Sequence, residues 1–112
     1  MLRGEVWIAV WPNDPTKKPR PVLIVSNDYR NEALFLPDVV VVKLTSLFRD
    51  NGSKKPTHPA EDVVATFKKE TIIRCASLYS VEKKILQRSV FKIPAPLMQE
   101  VDSRLKQVLG LR

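Results

Sequence analysis

With 112 residues, 44% apolar and 28% charged, the chain can bury one compact core and mixes its charges too evenly for global disorder, which excludes two half-sized domains. Nineteen Lys and Arg against twelve Asp and Glu leave a formal charge of +7, a positive potential that polyanions feel. A lone cysteine, Cys75, rules out an intrachain disulfide, and no apolar run nears the roughly 20 residues that span a bilayer, so one domain over residues 1–112 in the cytoplasm is expected.

The first predicted strand covers residues 5–11, where Val6, Trp7, Ile8 and Val10 supply β-branched and aromatic side chains, and it stops at the turn-forming Pro12-Asn13-Asp14-Pro15. Trp7 and Trp11 share one face of it, a placement that suits core or dimer packing better than base stacking. Pro19 and Pro21 hold the backbone extended around Arg20, and Val22-Leu23-Ile24-Val25 follows as a buried central strand bounded by Ser26-Asn27-Asp28. Residues 29–37 show no clear periodicity. Val39-Val40-Val41-Val42 then carries a third strand, residues 38–45, that ends in Leu44-Thr45-Ser46. Residues 48–60 are turn-forming and basic, and a mobile surface loop is expected there. Short strands at 62–67 and 71–75 flank a Lys68-Lys69-Glu70 hairpin turn, residues 81–86 form a helical turn, and residues 88–93 make another strand. At the carboxyl end Leu97, Met98, Val101, Leu105, Val108 and Leu109 recur at helical spacing, with Pro96 in the first turn and Gly110 at the stop. The expectation is a mainly β fold with a C-terminal α-helix, a small antiparallel barrel whose open side the helix covers.

One histidine, His58, leaves no partner for a two-histidine acid–base pair. The sequence also has no Cys-x-x-Cys, no His-x-x-x-His, no Asp-x-Asp cluster and no glycine-rich phosphate loop. Neither a metal nor a cofactor is therefore expected. What remains is a set of guanidiniums and hydroxyls around strand ends. Arg20, stiffened by its proline neighbours, can grip a phosphate through two parallel hydrogen bonds, and Thr45 and Ser46 can donate to the same group. Taken alone, Arg20 and Thr45 read more simply as a surface ion pair and a turn hydroxyl. Cys75 alternates with Ile73 and reads as packed core rather than a nucleophile.

Three segments resemble, in order and spacing, the successive strands of the MazF/PemK toxin family: Arg3-Gly4-Glu5-Val6-Trp7, then Arg20-Pro21-Val22-Leu23-Ile24-Val25-Ser26-Asn27, then Val39-Val40-Val41-Val42-Lys43-Leu44-Thr45-Ser46. Ile73-Arg74-Cys75 is similar to the PemK branch, and the Leu109-Gly110-Leu111 end extends the likeness over nearly the whole chain. The resemblance implies an SH3-like barrel of the CcdB/PemK-like kind, usually homodimeric, that cuts single-stranded RNA at short sequences without metal and is silenced by a cognate antitoxin. It implies Arg20, Thr45 and Arg74 as catalytic residues. Ser26, Lys43, Ser46 and His58 are the expected substrate contacts, His58 from a loop where relatives place a flexible lid. The antitoxin should carry an acidic, disordered tail, because a positive groove is efficiently blocked by a charge-complementary chain that folds on binding.

The chemistry suits these residues. The ribose 2′-hydroxyl already sits beside its phosphorus, so the protein has mainly to align the attack and stabilise charge growing on the phosphate. An arginine, with a pKa above about 12, is a poor general base, so Arg20 is assigned to electrostatic stabilisation and to proton donation toward the leaving 5′-oxygen. The chain departs from the family pattern where Ala76 replaces a PemK-type aspartate, Ser77 a glutamine and Tyr79 an arginine. The loop at 12–19 is short and lacks a histidine, and Lys43 stands where a proline or small residue is usual. These departures keep a second reading in play, a non-catalytic barrel that binds nucleic acid or inhibits a protein such as DNA gyrase.

Overall fold

In the computed structural model, which describes residues 1–112, alternating burial along the strands sorts the apolar side chains onto two faces of one sheet. The strands are β1 (Glu5–Ala9), β2 (Arg20–Ile24), β3 (Asp38–Ser46), β4 (Asp62–Thr66), β5 (Glu70–Glu82) and β6 (Leu86–Lys92). Two helices accompany them, α1 (Asp28–Glu32) and α2 (Ala95–Leu109). The sheet runs β4-β5-β3-β2-β1-β6 with every pairing antiparallel. It does not close on itself: β4 and β6 are its two edges, so the expected barrel is an open one.

One face packs Val6, Leu23, Val42, Leu44, Ile73 and Cys75 against Val101 and Leu105 of α2. Burying two such helix side chains contributes roughly 1.5–3 kcal/mol each, which is why an amphipathic helix of modest hydrophobicity docks here. The opposite face holds Ala9, Val22, Ile24, Val39, Val41 and Val81, over which Ile85 and Leu86 fold, with Trp7 and Trp11 packed at the margin. Irregularities bend the sheet enough for this. The β1–β6 register slips between Val6 and Trp7 and again between Ile8 and Ala9. On β5 three residues, Cys75 to Ser77, lie between the pairs Lys43↔Arg74 and Val42↔Leu78.

The turns behave as their residues require. Gly4 has φ +91°, and its amide and carbonyl bond to Ile24 O at 2.9 Å and Ile93 N at 3.0 Å, tying the entry of β1 to β2 and to the chain just past β6. Gly110 takes the left-handed conformation at φ 69°, and the Leu111 amide donates to Lys106 O at 2.8 Å to close α2 in a Schellman pattern.

Four details differ from the sequence expectations. The first strand ends at Ala9 rather than at residue 11, because the Val10 amide turns away to donate to Ile85 O at 3.1 Å. α1 occupies part of the stretch without periodicity, started by the Asn27 side-chain oxygen Oδ1 accepting from the Arg30 amide at 2.8 Å. β5 runs for 13 residues, past the expected end at residue 75, and leaves only the 3₁₀ turn Lys83–Ile85 of the expected helical segment. The basic loop is tied down: Phe48 bridges Lys54, the Arg49 amide donates to Ser53 O at 2.8 Å, and the Lys55 amide donates to Leu47 O at 2.8 Å.

Candidate active site

Directly paired residues of an antiparallel sheet point to the same face, so the register itself locates the polar groups. One cross-strand row runs Trp7, Val22, Lys43, Arg74, Asp62 through five strands. Val22 and Trp7 belong to the second core cluster, which fixes the face of Lys43, Arg74 and Asp62. Arg20 lies two residues before Val22, and Thr45 two residues after Lys43, so both share that face. The β2–β3 pairing ends at Val22↔Lys43, and the same register carried two residues further sets Arg20 across from Thr45.

Each of these groups meets a partner that sequence reasoning did not anticipate. The Arg20 guanidinium contacts the Asp14 carboxylate at 3.5 Å, from the loop between β1 and β2. Hydrogen bonds from the Thr16 hydroxyl and amide, with the Arg20 charge as a smaller contribution, hold the Asp14 carboxyl below the usual carboxylate range. Arg74 donates to Asp62 Oδ2 at 3.1 Å and reaches Pro56 O at 3.5 Å. The same Asp62 oxygen accepts from the His58 amide at 2.9 Å, so one nearly buried carboxylate joins β4, β5 and the basic loop. Lys55 Nζ donates to the Thr45 hydroxyl at 2.8 Å. Asp14, Lys55 and Asp62 lie 6, 10 and 12 positions from Arg20, Thr45 and Arg74, across turns whose course the sequence does not give, and only the charge pattern of their loops offered a signal.

Arg20, Lys43, Thr45 and Arg74 are thus gathered on one face, with His58 held at its border through Asp62. Ser26 is not brought to them. It is 8% exposed, six residues from Arg20 at the far end of β2, about 20 Å along an extended chain. Its hydroxyl oxygen, which accepts from the Val40 amide at 3.0 Å and pairs with Asn31, is engaged in the fold rather than offered to a substrate. Ser46 follows Leu44 in the alternation, so its side chain leaves from the helix-covered side, and it donates to Phe48 O at 3.1 Å.

Two side chains far apart in the sequence meet here. Lys43 Nζ lies 4.8 Å from the Tyr79 ring centroid and 5.5 Å from that of Trp11, and the two rings pack edge-to-face at 5.3 Å. Trp7, by contrast, spends its indole N–H on Glu5 at 3.2 Å. Cys75 is fully buried, its thiol pushed up to about 11 by burial and then by the Asp62 charge, which makes it a core residue. No three His, Cys, Asp or Glu side chains converge as metal ligands, and no helix is long and apolar enough to cross a membrane.

Residues 2–109 match the family model described as PemK-like, MazF-like toxin of type II toxin–antitoxin system. Among solved structures, the chain is similar to an endoribonuclease in complex with its cognate antitoxin from a mycobacterial species, at 25% identity and TM-score 0.77, covering 100% of this chain and 97% of that one. It shares the fold of the Mycobacterium tuberculosis toxin MazF-mt6, at 18% identity and TM-score 0.73, covering 96% and 98%. It also shares the fold of a MazE–MazF structure from Deinococcus radiodurans, at 15% identity and TM-score 0.77, covering 100% and 98%.

Proposed function

The chain belongs to the family of PemK-like, MazF-like toxins of type II toxin–antitoxin systems, and from that premise we propose that it is an endoribonuclease cutting single-stranded RNA at specific short sequences without a metal ion. The observation that carries the reading is the shared sheet face of Arg20, Thr45 and Arg74. Two guanidiniums there bind the non-bridging oxygens of one phosphodiester. The ribose 2′-oxygen attacks phosphorus in line as its proton is released, the bond to the 5′-oxygen breaks as that oxygen takes up a proton, and the products are a 2′,3′-cyclic phosphate and a 5′-hydroxyl. Asp14 and Asp62 hold the two guanidiniums in place before substrate arrives, so less conformational freedom is lost on binding. The Thr45 hydroxyl, anchored by Lys55, adds a donor to the phosphate.

A cognate antitoxin with an acidic, disordered tail silences the toxin in the cytoplasm; the antitoxin complex of the mycobacterial endoribonuclease supports the partner itself. The working form is a homodimer, which would cover some of the exposed apolar side chains: Leu34 is 100% exposed and Tyr29 and Phe35 are each 72% exposed.

The test is incubation of the purified chain with a defined RNA in EDTA, followed by end analysis. Cyclic phosphate ends are expected, and a strict metal requirement would refute the metal-free part. Arg20→Ala should slow cutting at least about 100-fold, the scale of one lost charge-stabilising donor. Its thermal unfolding should stay near wild type, because the Arg20 side chain is 47% exposed. One specific observation favours the non-catalytic alternative: Ala76 brings no carboxylate where the resemblance to the PemK branch implies one. RNA left intact but bound tightly, and released as salt rises, would turn the assignment to it.

A further inference from the structure

Beside the phosphate-binding groups lies a cluster that the proposed cleavage chemistry does not use. Tyr79 is 39% exposed, Lys43 caps its ring at 4.8 Å, and Trp11 packs edge-to-face against it. Lys43 is the cross-strand partner of Arg74 and stands two residues, about 7 Å, from Thr45 on the same face. That spacing sets the cluster within reach of the nucleotide next to the phosphate contacts.

The polar atoms of the cluster have one chemical bias. The Lys43 ammonium can only donate, and so can the Trp11 indole. The Trp11 Nε1–H is buried with no acceptor in the chain, a donor left unmatched by the fold. The Tyr79 hydroxyl can do either, and its ring supplies a π-surface. A donor-only ammonium set over an aromatic ring matches a base edge that offers acceptors, O6 and N7 of guanine or the carbonyls of uracil. The exocyclic amines of adenine and cytosine would set a donor against the Lys43 ammonium, which has no acceptor to offer.

We propose that Trp11, Lys43 and Tyr79 form a nucleobase subsite that selects guanine or uracil over adenine or cytosine at one position flanking the scissile phosphate. The inference rests on the endoribonuclease reading for its position beside the cut and deepens it. Lys43 and Tyr79 touch one another across β3 and β5, so the two side chains act as one surface.

Two measurements test it. The first sequences the ends left by cutting a random RNA pool with wild type, Lys43→Met and Tyr79→Ala. Wild-type cuts should be enriched for guanine or uracil at one flanking position, and each variant should lose that enrichment by about tenfold. An unchanged cut pattern in both variants overturns the subsite, and so does uniform slowing of every cut by Lys43→Met, the mark of a phosphate contact. The second measures binding of oligonucleotides made uncleavable by one 2′-deoxy residue and differing in one flanking base. Guanine and uracil versions should bind about tenfold tighter than adenine and cytosine versions in wild type and equally in the variants. Because binding needs no cleavage, selective binding with no cutting would sink the nuclease reading alone, whereas cutting with equal binding of all four bases would sink the subsite alone.

Discussion

Replacing Asp62 by asparagine should cost the fold about 3 kcal/mol, a value that follows from the geometry of its pair with Arg74. At 3.1 Å the attraction is roughly 5 kcal/mol at an effective dielectric near 20, and withdrawing from water a carboxylate only 6% exposed offsets much of it. Asp62→Asn keeps the shape of the side chain and an acceptor for the His58 amide while deleting the charge. Removing one member of a buried pair costs about 3–5 kcal/mol. Arg74, 30% exposed, can turn its guanidinium toward water, which puts the loss at the lower end. Urea and thermal unfolding read it out at fixed protein concentration, with a fall in Tm of about 10 °C expected. A double-mutant cycle with Arg74→Met should return a coupling of about 2 kcal/mol. A loss under about 0.5 kcal/mol, or a coupling near zero, would show that the carboxylate neither holds Arg74 nor anchors the basic loop.

Cys75 should resist thiol-specific reagents at pH 8 until the chain is opened by denaturant. Because its proton is held up to about 11 in the fold, the native state binds more protons than the unfolded chain above the ordinary thiol range. Stability should therefore fall as pH climbs from the unfolded thiol pKa toward about 11, a slope that Cys75→Ala removes. Gly4→Ala should cost about 1–2 kcal/mol in urea unfolding through its φ of +91° alone, since the nearest atoms to an added Cβ are 3.8 Å away, an ordinary contact. An unaffected midpoint would mean that the turn relaxes freely.

Some of this molecule could be read directly from residue order. Pro19 and Pro21 announce an extended entry to β2, the four valines from Val39 announce β3, and the spacing from Leu97 to Leu109, closed by Gly110, announces α2, because each signal is local. α1 escaped notice because five residues under an asparagine cap make no hydrophobic stripe. The length of β5 escaped notice because Cys75 to Ser77, inserted between two registers, break the alternation that a strand is recognised by. At the site the guanidiniums were legible one at a time, as Arg20 and Arg74. Their counter-groups were not, since Asp14, Lys55 and Asp62 become neighbours only when loops fold back over strand ends. Lys43 and Tyr79 looked like two unrelated departures for the same reason, being 36 positions apart by number but in contact across adjacent strands.

A sheet that stops at β4 and β6 leaves two rows of backbone donors and acceptors without a neighbouring strand, an invitation to fibril-like growth in a chain rich in valine. The chain guards both borders: β4 is only five residues long, and β6 carries Arg88 and Lys92 on its exposed stretch. Those two cations therefore act as gatekeepers against self-templating as much as contributors to the positive field, and neutralising both should shorten the time the protein stays clear in solution.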